Sequence, residues 1–299
     1  MKVAIIGGSG KMGRWFARFL RQEGHEVVIT GRNEGKLKEA QQQLDVSATT
    51  DNLAAVKDAR AVLISVPIEN FEAVVKQIGP HTEPGQVIMD VTSVKALPVV
   101  KMHQHIGVGV VLGGHPVFGP GAKDVAYRSF ILTPTSSEEE ALARKVKDYL
   151  ETKGARATLM SPEEHDELMA VVLGLAHFIA IASADALLSF DRLNRLGTIG
   201  GVTFRLLLTL AESVISEDPE FYASLQMHLP QLSEIERGFQ EKVTEWAELV
   251  AGGDEEQFAR RMKALKERYR KVAPDFGSAY EDMYRLIEVL QKPPEGQSR

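Results

Sequence analysis

Short apolar runs alternate with amphipathic stretches through the first half of this 299-residue chain. Runs rich in Val, Ile, Leu and Ala predict strands over 3–6, 26–30, 61–66, 87–91, 108–112, 130–133 and 155–159. Between them, apolar positions at helical spacing predict helices over 11–22, 34–44, 69–78 and 138–152. This alternation predicts an α/β fold, a mostly parallel sheet with helices on both faces. Handed crossovers make a Rossmann-type, doubly wound sheet the economical topology.

The pattern changes at Ser161-Pro162-Glu163-Glu164. Serine as N-cap, proline at the first helical position and glutamate three residues after the serine start a helix. Beyond it the spacing predicts helices over about 162–190, 202–216, 219–227, 230–251 and 254–290, the last interrupted near Pro274, and no strand. The helix from Pro162 is apolar around much of its circumference, with Leu168, Met169, Val171, Val172, Leu173, Leu175, Phe178 and Ile179. Such a helix is expected inside a core or between subunits. The expected organisation is an α/β domain over 1–159, an all-helical domain over 160–290 that forms a homodimer, and a disordered tail over 291–299.

Composition narrows the function classes. The net charge is −6 and no block of Lys and Arg occurs, so no nucleic-acid partner is expected. The absence of cysteine excludes disulfides, thiolate metal sites and thiol catalysis, and no metal site is expected. The longest apolar region, Leu168 to Phe190, is broken by His177 and Asp185, and the opening run Met1–Ile6 is too short for a signal peptide. A cytoplasmic protein without a membrane partner is the expectation.

Gly8-Ser9-Gly10-Lys11-Met12-Gly13 fits G-x-G-x-x-G between a predicted strand and a predicted helix, the context that a dinucleotide site needs. Gly8 allows the turn, Gly10 lets the backbone approach a pyrophosphate, and Gly13 permits close helix–strand packing. The 1–159 domain is therefore expected to bind a dinucleotide. The second strand ends at Thr30 and is followed by Gly31-Arg32-Asn33, with no acid to accept the ribose 2′-hydroxyl. Arg32 would instead pair with a 2′-phosphate, which predicts NADP over NAD, and Thr30 and Asn33 are candidates for added hydrogen bonds.

Three further segments fall at neighbouring strand ends, where ligands bind in open α/β sheets. Ser65-Val66-Pro67 would border the nicotinamide, Asp90–Lys95 places Ser93 and Lys95 two residues apart, and His115 follows in a loop made rigid by glycine and proline. A serine, a lysine and a histidine so placed can bind a hydroxyl and an anion while accepting a proton.

Together with Gly114-His115-Pro116-Val117-Phe118-Gly119-Pro120, Glu164-His165-Asp166, Ala176-His177-Phe178 and Phe204-Arg205 ahead of Asp218–Tyr222, these segments make the chain resemble the prephenate/arogenate dehydrogenases, the TyrA-type enzymes of tyrosine biosynthesis. The resemblance implies NADP- or NAD-dependent oxidative decarboxylation of prephenate to 4-hydroxyphenylpyruvate, or of arogenate. It implies that His115 takes the proton of the substrate 4-hydroxyl, that Ser93 orients it, and that Arg205 grips a carboxylate. It makes His177 a pocket residue, with Lys95 and Lys123 as helpers for a dianion. His165, in a helix's first turn, is expected to be structural. Some family members carry an acid six positions beyond the catalytic histidine, where this chain has Gly121. The chain begins at its first strand, so neither a fused chorismate mutase nor a regulatory domain after the helices is expected. A β-hydroxyacid or imine reductase would place a lysine on the apolar helix, which carries His177 instead. A non-catalytic NADP sensor would have no use for Ser93, His115 and Arg205 together.

Overall fold

The computed structural model describes residues 1–291, with side chains to residue 289, so the tail expected over 291–299 lies outside the described residues apart from Gln291. Eight strands form one sheet: β1 (Lys2–Ile6), β2 (Glu26–Thr30), β3 (Ser47–Thr49), β4 (Ala61–Ile64), β5 (Val87–Asp90), β6 (Val110–Pro116), β7 (Ser129–Thr133) and β8 (Arg156–Leu159). Their order is β3-β2-β1-β4-β5-β6-β7-β8, parallel except that β7 pairs antiparallel with β6. The connecting helices are α1 (Lys11–Gln22), α2 (Glu34–Leu44), α3 (Asn52–Val56), α4 (Ile68–Ile78), α5 (Ala96–His105) and α6 (Ser137–Thr152).

Side chains alternate across the strands, so each buried strand feeds two cores. Val3 and Ile5 pack with Trp15, Phe16, Leu37 and Leu150 on one face. Ala4 and Ile6 pack with Phe71, Val75, Ile78 and Met102 on the other. Both faces are covered, and the doubly wound expectation holds.

Three short elements escape the sequence pattern. β3 has three residues and α3 five, too few to show a period, and α5 carries Pro98 and two histidines near its end. The larger difference is β6. It was expected to stop at residue 112, yet it continues through Gly113-Gly114-His115-Pro116, held by β7 in the register His115↔Ile131.

The chain forms two compact units, one of residues 1–169 with 223–230, the other of 170–222 with the chain from 231. The first unit includes α7 (Pro162–Met169). Side-chain bonds from α7 to the start of α5 explain why, and Ser161 caps α7 as expected, its Oγ accepting from Glu164 N at 3.1 Å. Ser224 bonds Glu69 and fastens 223–230 to the same unit.

The second unit is built of helices and their connections, with no strand among its described residues. A π-helical turn (Ala170–Leu175) leads into α8 (Ala176–Leu188), followed by α9 (Leu193–Ile199), α10 (Val202–Ile215), α11 (Pro219–His228, mostly in the first unit), α12 (Leu232–Ala251), α13 (Glu255–Val272) and α14 (Ala279–Gln291). The helical stretch Pro162–Leu188 is long and apolar enough to cross a membrane: an 18-residue window within it has a mean hydropathy of 2.0, and 11% of that window is buried. The apolar surface that was expected in a core or between subunits is thus open on the single chain.

Candidate active site

Two glycines let β6 carry a histidine into a crowded place. A Cβ on Gly113 would lie 2.2 Å from Thr133 Oγ1 and 2.8 Å from Val99 Cγ2. A Cβ on Gly114 would lie 2.6 Å from Met89 Cε and 3.1 Å from Asp90 O. Close packing requires glycine at position 113, while at 114 the nearest atom is the movable end of Met89; the strand pleat turns His115 to the same face as Gly113. His115 is 3% exposed.

Its Nδ1 lies 2.8 Å from Nε2 of His165, which is fully buried. His165 Nδ1 lies 2.7 Å from Asp166 Oδ1. Asp166 in turn accepts from Lys95 N at 2.6 Å and Ala96 N at 2.9 Å, capping the start of α5 from another element. Burial, then the nearness of two other basic groups, His165 and Lys95, hold the His115 imidazole well below the ordinary histidine range. Burial also lowers His165, against the opposing pull of Asp166. A neutral, pre-oriented imidazole at a strand end suits a general base.

Lys95 has a different use from the one expected. It is fully buried, its Nζ ion-paired with Asp90 and donating to Gly114 O at 2.7 Å. An ammonium so enclosed has no surface to offer a substrate, so the substrate-binding assignment of Lys95 is corrected to a structural and electrostatic one. Ser93 sits half-buried between β5 and α5, and among the described residues its hydroxyl makes no hydrogen bond, so nothing joins it to His115 directly.

The glycine loop fits a dinucleotide phosphate. Gly7, just before the motif, takes φ +81° and makes the turn that was expected of Gly8. A Cβ on Gly8 would lie 2.5 Å from Ile29 Cβ, and one on Gly13 would lie 2.5 Å from Gly7 O, so both glycines allow close packing. Gly10 is exposed at the N-cap of α1 and no side chain caps the helix there, which leaves its N-terminus to a phosphate. Ser9 and the exposed Lys11 flank it, while Met12 packs into the core. At the end of β4, Ser65 and Val66 are half-buried and Pro67 is exposed at the start of α4.

Arg32 is exposed beyond β2. Its two expected helpers serve the protein instead. Thr30 is buried, its Oγ1 donating to Asn52 Oδ1 at 2.7 Å and accepting from Gly7 N. Asn33 caps α2, its Oδ1 accepting from Lys36 N at 2.9 Å.

In the second unit, Arg205 lies in the first turn of α10, its Nε donating to Gly200 O at 3.2 Å and its guanidinium forming no ion pair among the described residues. His177 begins α8 after the π-helical turn, with its ring edge-on to Tyr222 at 5.0 Å. Its Nδ1 is buried without a partner, and burial lowers its basicity. A cavity of about 460 Å³ in this unit is lined by Phe178, Glu236, Arg237 and Gln240, and by none of the expected site residues.

Comparison with known proteins bears on the whole arrangement. Residues 16–159 match the family model for the prephenate dehydrogenase nucleotide-binding domain, and 161–264 match that for the prephenate dehydrogenase dimerization domain. The chain belongs to the prephenate/arogenate dehydrogenase family. A probable arogenate/prephenate dehydrogenase of Methanocaldococcus jannaschii is 33% identical over 98% of the chain. A T-protein of Enterobacter agglomerans is 27% identical over 92% of it. The chain spans 66% of the first relative's length and 69% of the second's. The crystal structure of the Aquifex aeolicus prephenate dehydrogenase with hydroxyphenyl propionate and NAD+ superposes with a TM-score of 0.73 at 25% identity, covering 91% of this chain and 98% of that one.

Within the family frame, sequence reasoning missed Asp90, Asp166 and the placement of His165. The signal was present in Glu164-His165-Asp166, but a first-turn histidine reads as structural until a partner fifty residues away is known.

Proposed function

We propose that this chain oxidatively decarboxylates prephenate to 4-hydroxyphenylpyruvate, with NADP preferred as hydride acceptor. The observation that carries this is His115: buried, held neutral, with Nδ1 engaged by His165 and Nε2 making no hydrogen bond to the described residues. When bound, the nicotinamide cofactor supplies the hydride acceptor, and the glycine loop with Ser65, Val66 and Pro67 would hold it. Nε2 of His115 takes the 4-hydroxyl proton as hydride leaves the carbon that bears it. Loss of CO2 then returns an electron pair through the ring to that oxygen, which recovers the proton from His115. The proton is lent and returned, so His115 needs no route to solvent. Ser93 is assigned to the substrate hydroxyl.

Support for Arg205 as a carboxylate binder, and for His177 as a pocket residue, comes from the resemblance. The NADP preference rests on exposed Arg32 and the missing acid after β2. A homodimer through the helical domain is supported by the matched dimerization model and by the open apolar surface of Pro162–Leu188.

The deciding experiment incubates the chain with prephenate or arogenate, each with NADP or NAD, and follows reduced nicotinamide by absorbance. Reduction with prephenate and NADP is expected to be fastest. Activity with arogenate alone would transfer the assignment to that substrate, and a higher kcat/KM with NAD would remove the role of Arg32. No reduction in any of the four combinations would overturn the proposal.

A further inference from the structure

The protons in the chain His115–His165–Asp166 can be placed by elimination, starting from the carboxylate. Asp166 Oδ1 accepts from Lys95 N and Oδ2 from Ala96 N, so both carboxylate oxygens face backbone donors at the start of α5. An ionised carboxylate only accepts, so His165 Nδ1, 2.7 Å from Oδ1, carries a hydrogen. A neutral imidazole has one N–H, which makes His165 Nε2 an acceptor. His115 Nδ1, 2.8 Å from that atom, must then donate. The remaining nitrogen, His115 Nε2, is left with its lone pair.

Resting on the function proposed above, we propose that His165 and Asp166 are positioning residues that lock His115 in the tautomer able to accept a proton at Nε2. The lock depends on His165 staying neutral. A protonated His165 would donate from both nitrogens and turn His115 round. The charged groups around the pair are few: Lys95 from the start of α5, Asp90 at the end of β5, and Asp166 from α7. Lys95 and Asp90 neutralise each other, and full burial of His165 disfavours a second cation beside them. A purely structural role, fastening α7 to α5, is met by the bonds from Asp166 to Lys95 N and Ala96 N alone. It gives no reason for a second histidine within hydrogen-bond distance of the first.

Long-range proton–nitrogen spectra of the full chain, labelled with nitrogen-15 in histidine, read the tautomer without substrate or turnover. His115, assigned by the signal lost in His115→Asn, is expected to carry its hydrogen on Nδ1 at neutral pH. A hydrogen on Nε2 in the wild type would overturn the proposal, whatever substrate the protein uses. In His165→Leu the Nδ1 preference should vanish and kcat should fall about tenfold or more with KM little changed, the scale of a misaligned catalytic group. His165→Gln can present its amide oxygen where Nε2 lies and should restore both. Equal loss in the two variants, or an unchanged tautomer in His165→Leu, counts against the lock. If His165→Leu does not fold, the wild-type spectrum and His165→Gln still decide. Failure of every substrate with an Nδ1–H spectrum intact would sink the proposed reaction and leave the lock standing.

Discussion

A histidine only 3% exposed holds a positive charge poorly, and two neighbouring basic groups, His165 and the Lys95 ammonium, discourage it further. The base form is the neutral one, so activity should rise with pH through the His115 pKa and then stay level. Because that pKa lies well below 6.5, the plateau should already be reached at pH 6.5, and kcat/KM should drop only on further acidification. An inflection above 6.5 in the pH–rate profile would contradict the assignment. His115→Asn removes the acceptor nitrogen and should lower kcat by ~10²-fold or more, with substrate affinity little changed. Lys95→Met tests the neighbouring charge. It leaves Asp90 buried without its cation, at a cost of about 3–5 kcal/mol, which should appear as a fall in Tm on the order of 10 °C. It also removes an ammonium that depresses His115, so the inflection should move up toward 6.5. An unchanged Tm would mean that Asp90 is satisfied in some other way.

β6 is the element on which the site turns, and its packing makes a separate prediction. Gly113→Ala would set a methyl against Thr133 Oγ1 and Val99, neither of them the loose end of a long side chain, with Lys95 Cδ at 3.4 Å. Overpacking of this kind costs about 1–3 kcal/mol and should shift the strand that carries His115. Urea unfolding should show the loss and kcat should fall with it. A variant within about 0.5 kcal/mol of wild type would show that β6 has room to spare. The same strand explains what the sequence hid. Gly-Gly followed by His-Pro reads as a loop because those residues usually punctuate turns. Here the glycines serve close approach between layers, which no local pattern reveals. Long elements such as α1, α2 and β2 were legible to the residue because their period has room to repeat. The histidine, the glycine loop and the start of α7 were legible from local chemistry. The partners of Lys95 and His115 were not, since Asp166 stands 71 residues from one and His165 fifty from the other.

At the scale of the whole molecule, the apolar surface from the π-helical turn through α8 calls for a cover. Val171 and Val172 are about half exposed, and Leu188 and Phe190 are 69% and 60% exposed. Patches of this kind on a folded chain mark an interface or a membrane contact. His177 and Asp185 interrupt the stretch, and the matched dimerization model favours a second copy. A two-fold dimer uses each contact twice, so one substitution acts at two places. Val172→Glu would bury an unpaired carboxylate in each copy, costing about 3 kcal/mol per copy. Doubled by symmetry, that weakens association about 10⁴-fold, since every 1.4 kcal/mol is tenfold. Sedimentation velocity at micromolar protein should therefore give a dimer for the wild type and a monomer for Val172→Glu. The first unit does not contain Val172, and its His115–His165 geometry should persist in the variant, visible as an unchanged His115 tautomer. A wild-type chain that sediments as a monomer, or that stays in solution only with detergent, would assign the surface to something other than its own copy.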